Sequence, residues 1–112
     1  MPDGGAPSWT FLTNHAQVLV CIANDPGVRL REIGDRVGIT ERAAHRIIVE
    51  LTDAGYITRE RNGRRNRYTI NADLPVHDPI ARDQNVGHLI EILSALRRPE
   101  SEAGRAVTSG GA

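Results

Sequence analysis

Apolar positions recur at helical spacing in four stretches of this chain, and one hairpin signal stands between the third and the fourth. Residues 13–24 carry Leu19, Ile22 and Ala23 on one stripe, with Thr13 or Asn14 as cap and Asp25-Pro26-Gly27 as the closing turn. Residues 28–30 read as a one-bridge strand entering a second helix, residues 31–37, and across the two Leu30, Ile33 and Val37 face inward. In residues 41–54, at about 100° per residue, Ala44, Ile47, Ile48, Leu51 and Gly55 fall on one face. Arg42, His45, Arg46 and Val49 fall together on the opposite face. Residues 56–61 and 64–70 read as two strands around Asn62-Gly63, a strong hairpin signal. Asp78-Pro79 is a helix start, and Val86, Leu89, Ile90, Leu93 and Leu96 form the apolar stripe of a helix that ends near residue 96.

The joint between the second and third helices is the most specific of these patterns. Gly34 lets the following segment approach closely, Gly38 leaves helical geometry, Ile39 plugs the core and Thr40 caps the third helix. With Ala44 and Ile47 in register, this is a helix-turn-helix signature. The predicted fold class is therefore mainly α with a small β-hairpin, α+β overall. Residues 1–8 and 97–112 are Gly-, Pro-, Ser- or Glu-rich tails expected to be disordered, residues 9–76 the domain, and residues 77–96 a C-terminal helix. Trp9 and Phe11 are expected in the core or in a dimer contact. A small three-helix core has one face to offer the C-terminal helix. The excess apolar surface of Val86, Leu89, Ile90, Leu93 and Leu96 suggests pairing with a second copy.

Charge distribution changes the picture that net charge gives. The 112-residue chain is formally neutral, but residues 41–70 hold seven arginines against four acids, +3, which leaves −3 elsewhere. Every basic residue other than histidine is arginine. Five of the arginines, Arg59, Arg61, Arg64, Arg65 and Arg67, crowd the hairpin, opposed only by Glu60. Like charges on so short a ribbon repel one another, so a polyanion is the natural partner. The face of Arg42, His45, Arg46 and Val49 suits a DNA major groove: arginine donates in parallel to guanine O6 and N7, and valine touches a thymine methyl.

Other function classes find less support. Cys21 is alone, so it forms no intramolecular disulfide and no cysteine-pair metal site, and its apolar helix suits an inert thiol. There is no signal peptide pattern and no apolar run long enough to span a membrane, which points to a cytoplasmic protein with no membrane partner. No Ser/His/Asp or Cys/His constellation, Gly-rich phosphate loop or carboxylate pair suggests an enzyme, and no cofactor is implied.

Residues 30–70, LREIGDRVGITERAAHRIIVELTDAGYITRERNGRRNRYTI, resemble the winged helix-turn-helix of MarR-like and ArsR-like bacterial transcription regulators, and ITERAAHRIIVEL is similar to the same segment of IclR-type regulators. With its flanking helices the resemblance covers about residues 9–96. It implies a recognition helix in the major groove, using Thr40, Arg42, His45 and Arg46, to which the outward face adds Val49. It also implies a wing on backbone or minor groove, using Arg61, Arg64, Arg65 and Arg67, to which the charge pattern adds Arg59. The implied function is a homodimeric repressor on double-stranded DNA; the alternatives are a winged-helix protein-interaction module or a metal-responsive regulator. His77, then His88 and Glu91 one turn apart, resemble part of the paired-helix zinc site of ArsR-type sensors. Pro75 stands where that pattern has Asp, and no metal is expected.

Overall fold

The structure, a computed structural model, describes residues 6–97. In chain order it contains α1 (Asn14–Asn24), α2 (Leu30–Val37), α3 (Glu41–Asp53), β1 (Ile57–Asn62), β2 (Arg65–Ile70) and α4 (Val86–Arg97). The tail positions 1–5 and 98–112, and the side chain of Leu96, lie outside the described residues.

Each helix of the helix-turn-helix starts and stops for a local reason. Thr13 Oγ1 accepts the Ala16 N–H at 3.1 Å, and Thr40 Oγ1 accepts the Ala43 N–H at 3.0 Å. Gly38, at φ +86°, turns the chain out of α2, and the Ile39 N–H reaches back to the Gly34 carbonyl at 2.9 Å. At the end of α3, Gly55 takes φ +88°; its N–H donates to Thr52 and that of Tyr56 to Leu51, a full Schellman closure. Between α2 and α3 there is room for backbone only: a Cβ at Gly34 would sit 2.7 Å from the Ile39 carbonyl oxygen.

The core fills the space between these helices. Val18 and Ile22 of α1, Ile33 of α2, and Ala44, Ile47, Ile48 and Leu51 of α3 are buried together, closed below by Ile57 and Tyr68 of the hairpin. The apolar stripe of α3 is thus spent inward as its spacing predicted, except Gly55, which lies past the helix end and is exposed. Trp9 and Phe11 do not join this core. They meet each other edge to face at 5.0 Å between ring centroids, and Phe11 is 91% exposed.

The hairpin differs from expectation in its turn. Asn62 pairs with Arg65, so Gly63-Arg64 are the two loop residues. Positive φ occurs at Gly63 (+68°) and not at Arg64, the pattern of a type II′ rather than a type I′ turn. The pairing moves by two positions relative to an Asn62-Gly63 turn, which preserves the face of every side chain. Ile57, Ile70 and Tyr68 therefore still anchor the ribbon.

Residues 28–30 form no strand. Pro26 has no N–H, the Gly27 N–H donates to Asp25 Oδ1 at 3.2 Å, and the Val28 N–H donates to the Asp25 carbonyl at 2.9 Å. Only carbonyls remain to meet the hairpin: that of Pro26 accepts from the Tyr68 N–H at 2.9 Å, and that of Gly27 from Arg65 Nη2 at 2.9 Å. A ladder needs donors from both sides, and α2 starts at Leu30 instead.

The last helix begins seven residues later than its Asp78-Pro79 signal suggests. Asp78 Oδ1 does accept from the Ile80 and Ala81 N–H groups, as a cap would, but the chain turns back. Val76 N–H bonds to Gln84, and Val86 N–H to Leu74, which ties residues 74–76 antiparallel to 84–86. Asn85 is the true cap, its Oδ1 accepting the His88 N–H at 2.8 Å. From there α4 packs on α1, with Val86 and Ile90 in the core.

Candidate nucleic-acid interface

The outward face of α3 is fixed by what its inward face buries. Ala44, Ile47, Ile48 and Leu51 leave no freedom of rotation, so Arg42, His45, Arg46 and Val49 project to solvent. Together with Thr40 and Ala43 they line one shallow surface. Val49 is 39% exposed, an apolar side chain open to solvent beside the two arginines. These residues were named from the sequence, and the fold brings them together. Thr40 has a second task there, since its hydroxyl accepts the Ala43 N–H.

The wing arginines are all exposed, but they are not equivalent. Arg59 stands opposite Tyr68 and Arg61 opposite Asn66, on the face that continues into the core; Arg67 stands opposite Glu60 on the other face. Arg61 Nε donates to the Gly63 carbonyl at 3.2 Å, so its guanidinium is folded over the turn. Arg65 donates to Gly27, which staples the hairpin to the turn between α1 and α2. A guanidinium has five donors, so each of these two keeps several for another partner.

Sequence reasoning missed two residues at this surface. Arg29 and Arg31 line a cleft of about 460 Å³ together with Arg64, Arg65 and the α3 residue Glu41. Once α2 is seen to start at Leu30, Arg29 occupies its N-cap position, where an acceptor side chain is usual. The carboxylate that serves there instead is Glu32, which accepts the Arg29 N–H at 3.0 Å. That bond, with the Arg36, Arg29 and Arg65 guanidiniums nearby, holds the Glu32 carboxyl below its ordinary pKa of 4.5.

One set of predicted site residues, the apolar stripe of α4, is placed otherwise than expected. Val86 and Ile90 are 3% and 8% exposed in the protomer's own core, so they are not available to a second copy. Leu89 and Leu93 are half-buried, and among the described side chains of α4 Ile92, 50% exposed, is the large apolar residue that faces outward. Of the histidines and acid weighed as metal ligands, His77 precedes α4 by nine residues, and His88 Nδ1 lies 2.8 Å from Gln84 Oε1. His77, His88 and Glu91 do not gather into a three-ligand group within the described residues. No helix of the described residues is long and apolar enough to cross a membrane.

Solved structures with a similar course include the Mycobacterium tuberculosis MarR family protein Rv2887, in complex with salicylic acid. It is 19% identical over 87% of this chain and 64% of that chain, with a TM-score of 0.49. The PcaV transcriptional regulator of Streptomyces coelicolor, solved with its natural ligand, is 16% identical over 96% of this chain and 82% of that one, with a TM-score of 0.45. The chain thus spans less than two thirds of the length of the first of these, and at such similarity neither structure carries an argument about ligands. No curated protein matches the chain. A family model does: that of the MarR family matches residues 10–67, more than half of the chain and all of the helix-turn-helix, and this chain belongs to the MarR family.

Proposed function

We propose that this chain is a sequence-specific DNA-binding transcription regulator that acts as a homodimer and represses by occupying its operator. The observation that carries the reading is the two-sided α3, with one face wholly buried and Arg42, His45, Arg46 and Val49 exposed on the other. Such a helix can enter a major groove only with those four side chains against base edges. Arg59, Arg61, Arg64, Arg65 and Arg67 on the neighbouring wing then hold phosphates, which positions the helix without reading sequence. The dimer contact falls to the apolar residues left outward, Ile92 with half-buried Leu89 and Leu93, and the exposed pair Trp9 and Phe11. Leu12 and Leu93 line one groove, so the N-terminal segment and α4 form a continuous surface. A regulator of this kind works in the cytoplasm, beside its DNA.

Selection of bound sequences from a random duplex pool at near-physiological salt tests this. An enriched inverted repeat is expected, with half-site centres about 34–36 Å apart or a multiple of that. Binding without enrichment refutes base reading by α3. An absence of any salt-dependent affinity refutes DNA as the partner and leaves a winged-helix module that grips an acidic protein.

A further inference from the structure

The cleft between the start of α2 and the wing has a chemistry that neither the recognition helix nor the wing alone explains. It is lined by Arg29 and Arg31 from the α2 end, Arg64 and Arg65 from the wing, and Glu41 from the first turn of α3. Four arginines from two segments far apart in sequence line about 460 Å³, and Glu41 is the one carboxylate in the lining. Glu32, which accepts the Arg29 N–H and lies near the Arg29 and Arg65 guanidiniums, adds a second negative charge beside the cleft, so four cations face two carboxylates and a net positive charge remains.

One wall of the cleft is set in advance. Arg65 Nη2 is held at 2.9 Å by the Gly27 carbonyl, which uses one of its five donors and restrains the group. A guanidinium restrained in this way loses less rotational freedom on binding than an unrestrained one. Converging planar forks match the oxygens of a phosphate. Repulsion among four cations also leaves the empty cleft at higher energy than an anion-filled one.

We propose that this cleft is a phosphate seat, in which Arg29 and Arg31 join Arg64 and Arg65 around one phosphoryl group. Glu41 lies at the N-terminal end of α3, so the seat borders the end of the helix that leads into the groove. A backbone phosphate of the bound duplex is the source this position favours, and that assignment rests on the DNA-binding reading above. The same chemistry would also take the phosphates of a free oligophosphate.

The test compares wild type, the double variant Arg29→Gln/Arg31→Gln and Glu41→Gln. Each is titrated with specific and random duplex at several salt concentrations, and separately with tripolyphosphate by calorimetry. Far-UV circular dichroism checks that each variant is folded. For a duplex phosphate, the double variant loses affinity about three- to tenfold on both duplexes alike, and its salt slope is shallower by about one. Glu41→Gln, which removes one opposing charge, binds several-fold tighter; it gives an independent answer if the double variant does not fold. Unchanged duplex binding with tripolyphosphate binding lost in the double variant assigns the seat to a free phosphate. The proposal is overturned if the double variant matches wild type in both titrations. Should wild type bind no duplex at all, the DNA reading fails, and the tripolyphosphate arm still decides the seat.

Discussion

Replacing Gly34 with alanine perturbs the joint on which the presentation of α3 depends. The new Cβ would lie 2.7 Å from the Ile39 carbonyl oxygen, where ordinary contact begins at 3.4 Å, a shortfall of about 0.7 Å. The glycine cannot retreat easily, because its own carbonyl accepts from Gly38 at 2.8 Å and from Ile39 at 2.9 Å. Nor can the turn slide sideways, since Thr40 C and Glu41 N already stand 3.4 Å from the same point. Overpacking of this kind costs about 1–3 kcal/mol, and straining the two turn hydrogen bonds adds about 1 kcal/mol. Alanine is favoured over glycine inside a helix by about 1 kcal/mol, which offsets part of that. The net expectation is a loss of about 1–3 kcal/mol, or a melting temperature lower by roughly 5–20 °C. Urea denaturation and thermal melts followed by circular dichroism measure both quantities. Gly27→Ala is the matched control: its Cβ meets Arg65 Nη2 at 3.7 Å, an ordinary contact, and its stability should stay within about 1 kcal/mol of wild type. A Gly34→Ala protein as stable as wild type would refute the steric argument, whatever the control does.

Three further outcomes are expected. Arg46→Ala should relax preference at one base-pair position by about 1–3 kcal/mol, while Arg67→Ala weakens all duplexes alike and makes the salt slope shallower by about one; identical behaviour on specific and random DNA would sink that division of labour. Ile92→Glu should shift the protein from dimer to monomer in sedimentation velocity, because it places a charge on the outward face of α4; a variant that stays dimeric moves the contact elsewhere. The lowered pKa of Glu32 means that its ionised form is stabilised by folding, so its contribution is present at neutral pH and lost as pH falls through 4.5 and below. The stability gap between wild type and Glu32→Gln should therefore narrow on acidification, and a gap that widens instead would show the sign to be wrong.

What the sequence made legible was whatever depends on near neighbours. Gly34, Gly38, Ile39 and Thr40 specify the helix-turn-helix through contacts within a few positions, and the burial of Ala44, Ile47 and Ile48 follows from helical spacing alone. The exposed set on α3 follows as the complement of that buried stripe. Misreadings arose where distant segments decide. Asp78 makes the local bonds of a cap, yet pairing of residues 74–76 with 84–86 delays the helix to Val86. Asn62-Gly63 is a good turn pair in isolation, but the ladder sets Ile57 opposite Ile70 and Arg59 opposite Tyr68, a register that turns at Gly63-Arg64 instead. Trp9 and Phe11 are large and apolar, and nothing local says that the core is already full without them. Arg29 and Arg31 were passed over because the wing that joins them at one cleft lies more than thirty residues away.

The turn at Asp25-Pro26-Gly27 also bears on self-association. A sheet edge invites foreign strands when it offers alternating donors and acceptors. Here Pro26 has no N–H, and those of Gly27 and Val28 are both consumed by Asp25, so the edge that receives the wing can accept but not donate. If the wing swings away, the site it vacates cannot template the strand of another molecule. The bend beneath the wing is thus a poor nucleus for strand exchange, and Ile57 and Tyr68 keep the hairpin seated on the core above it.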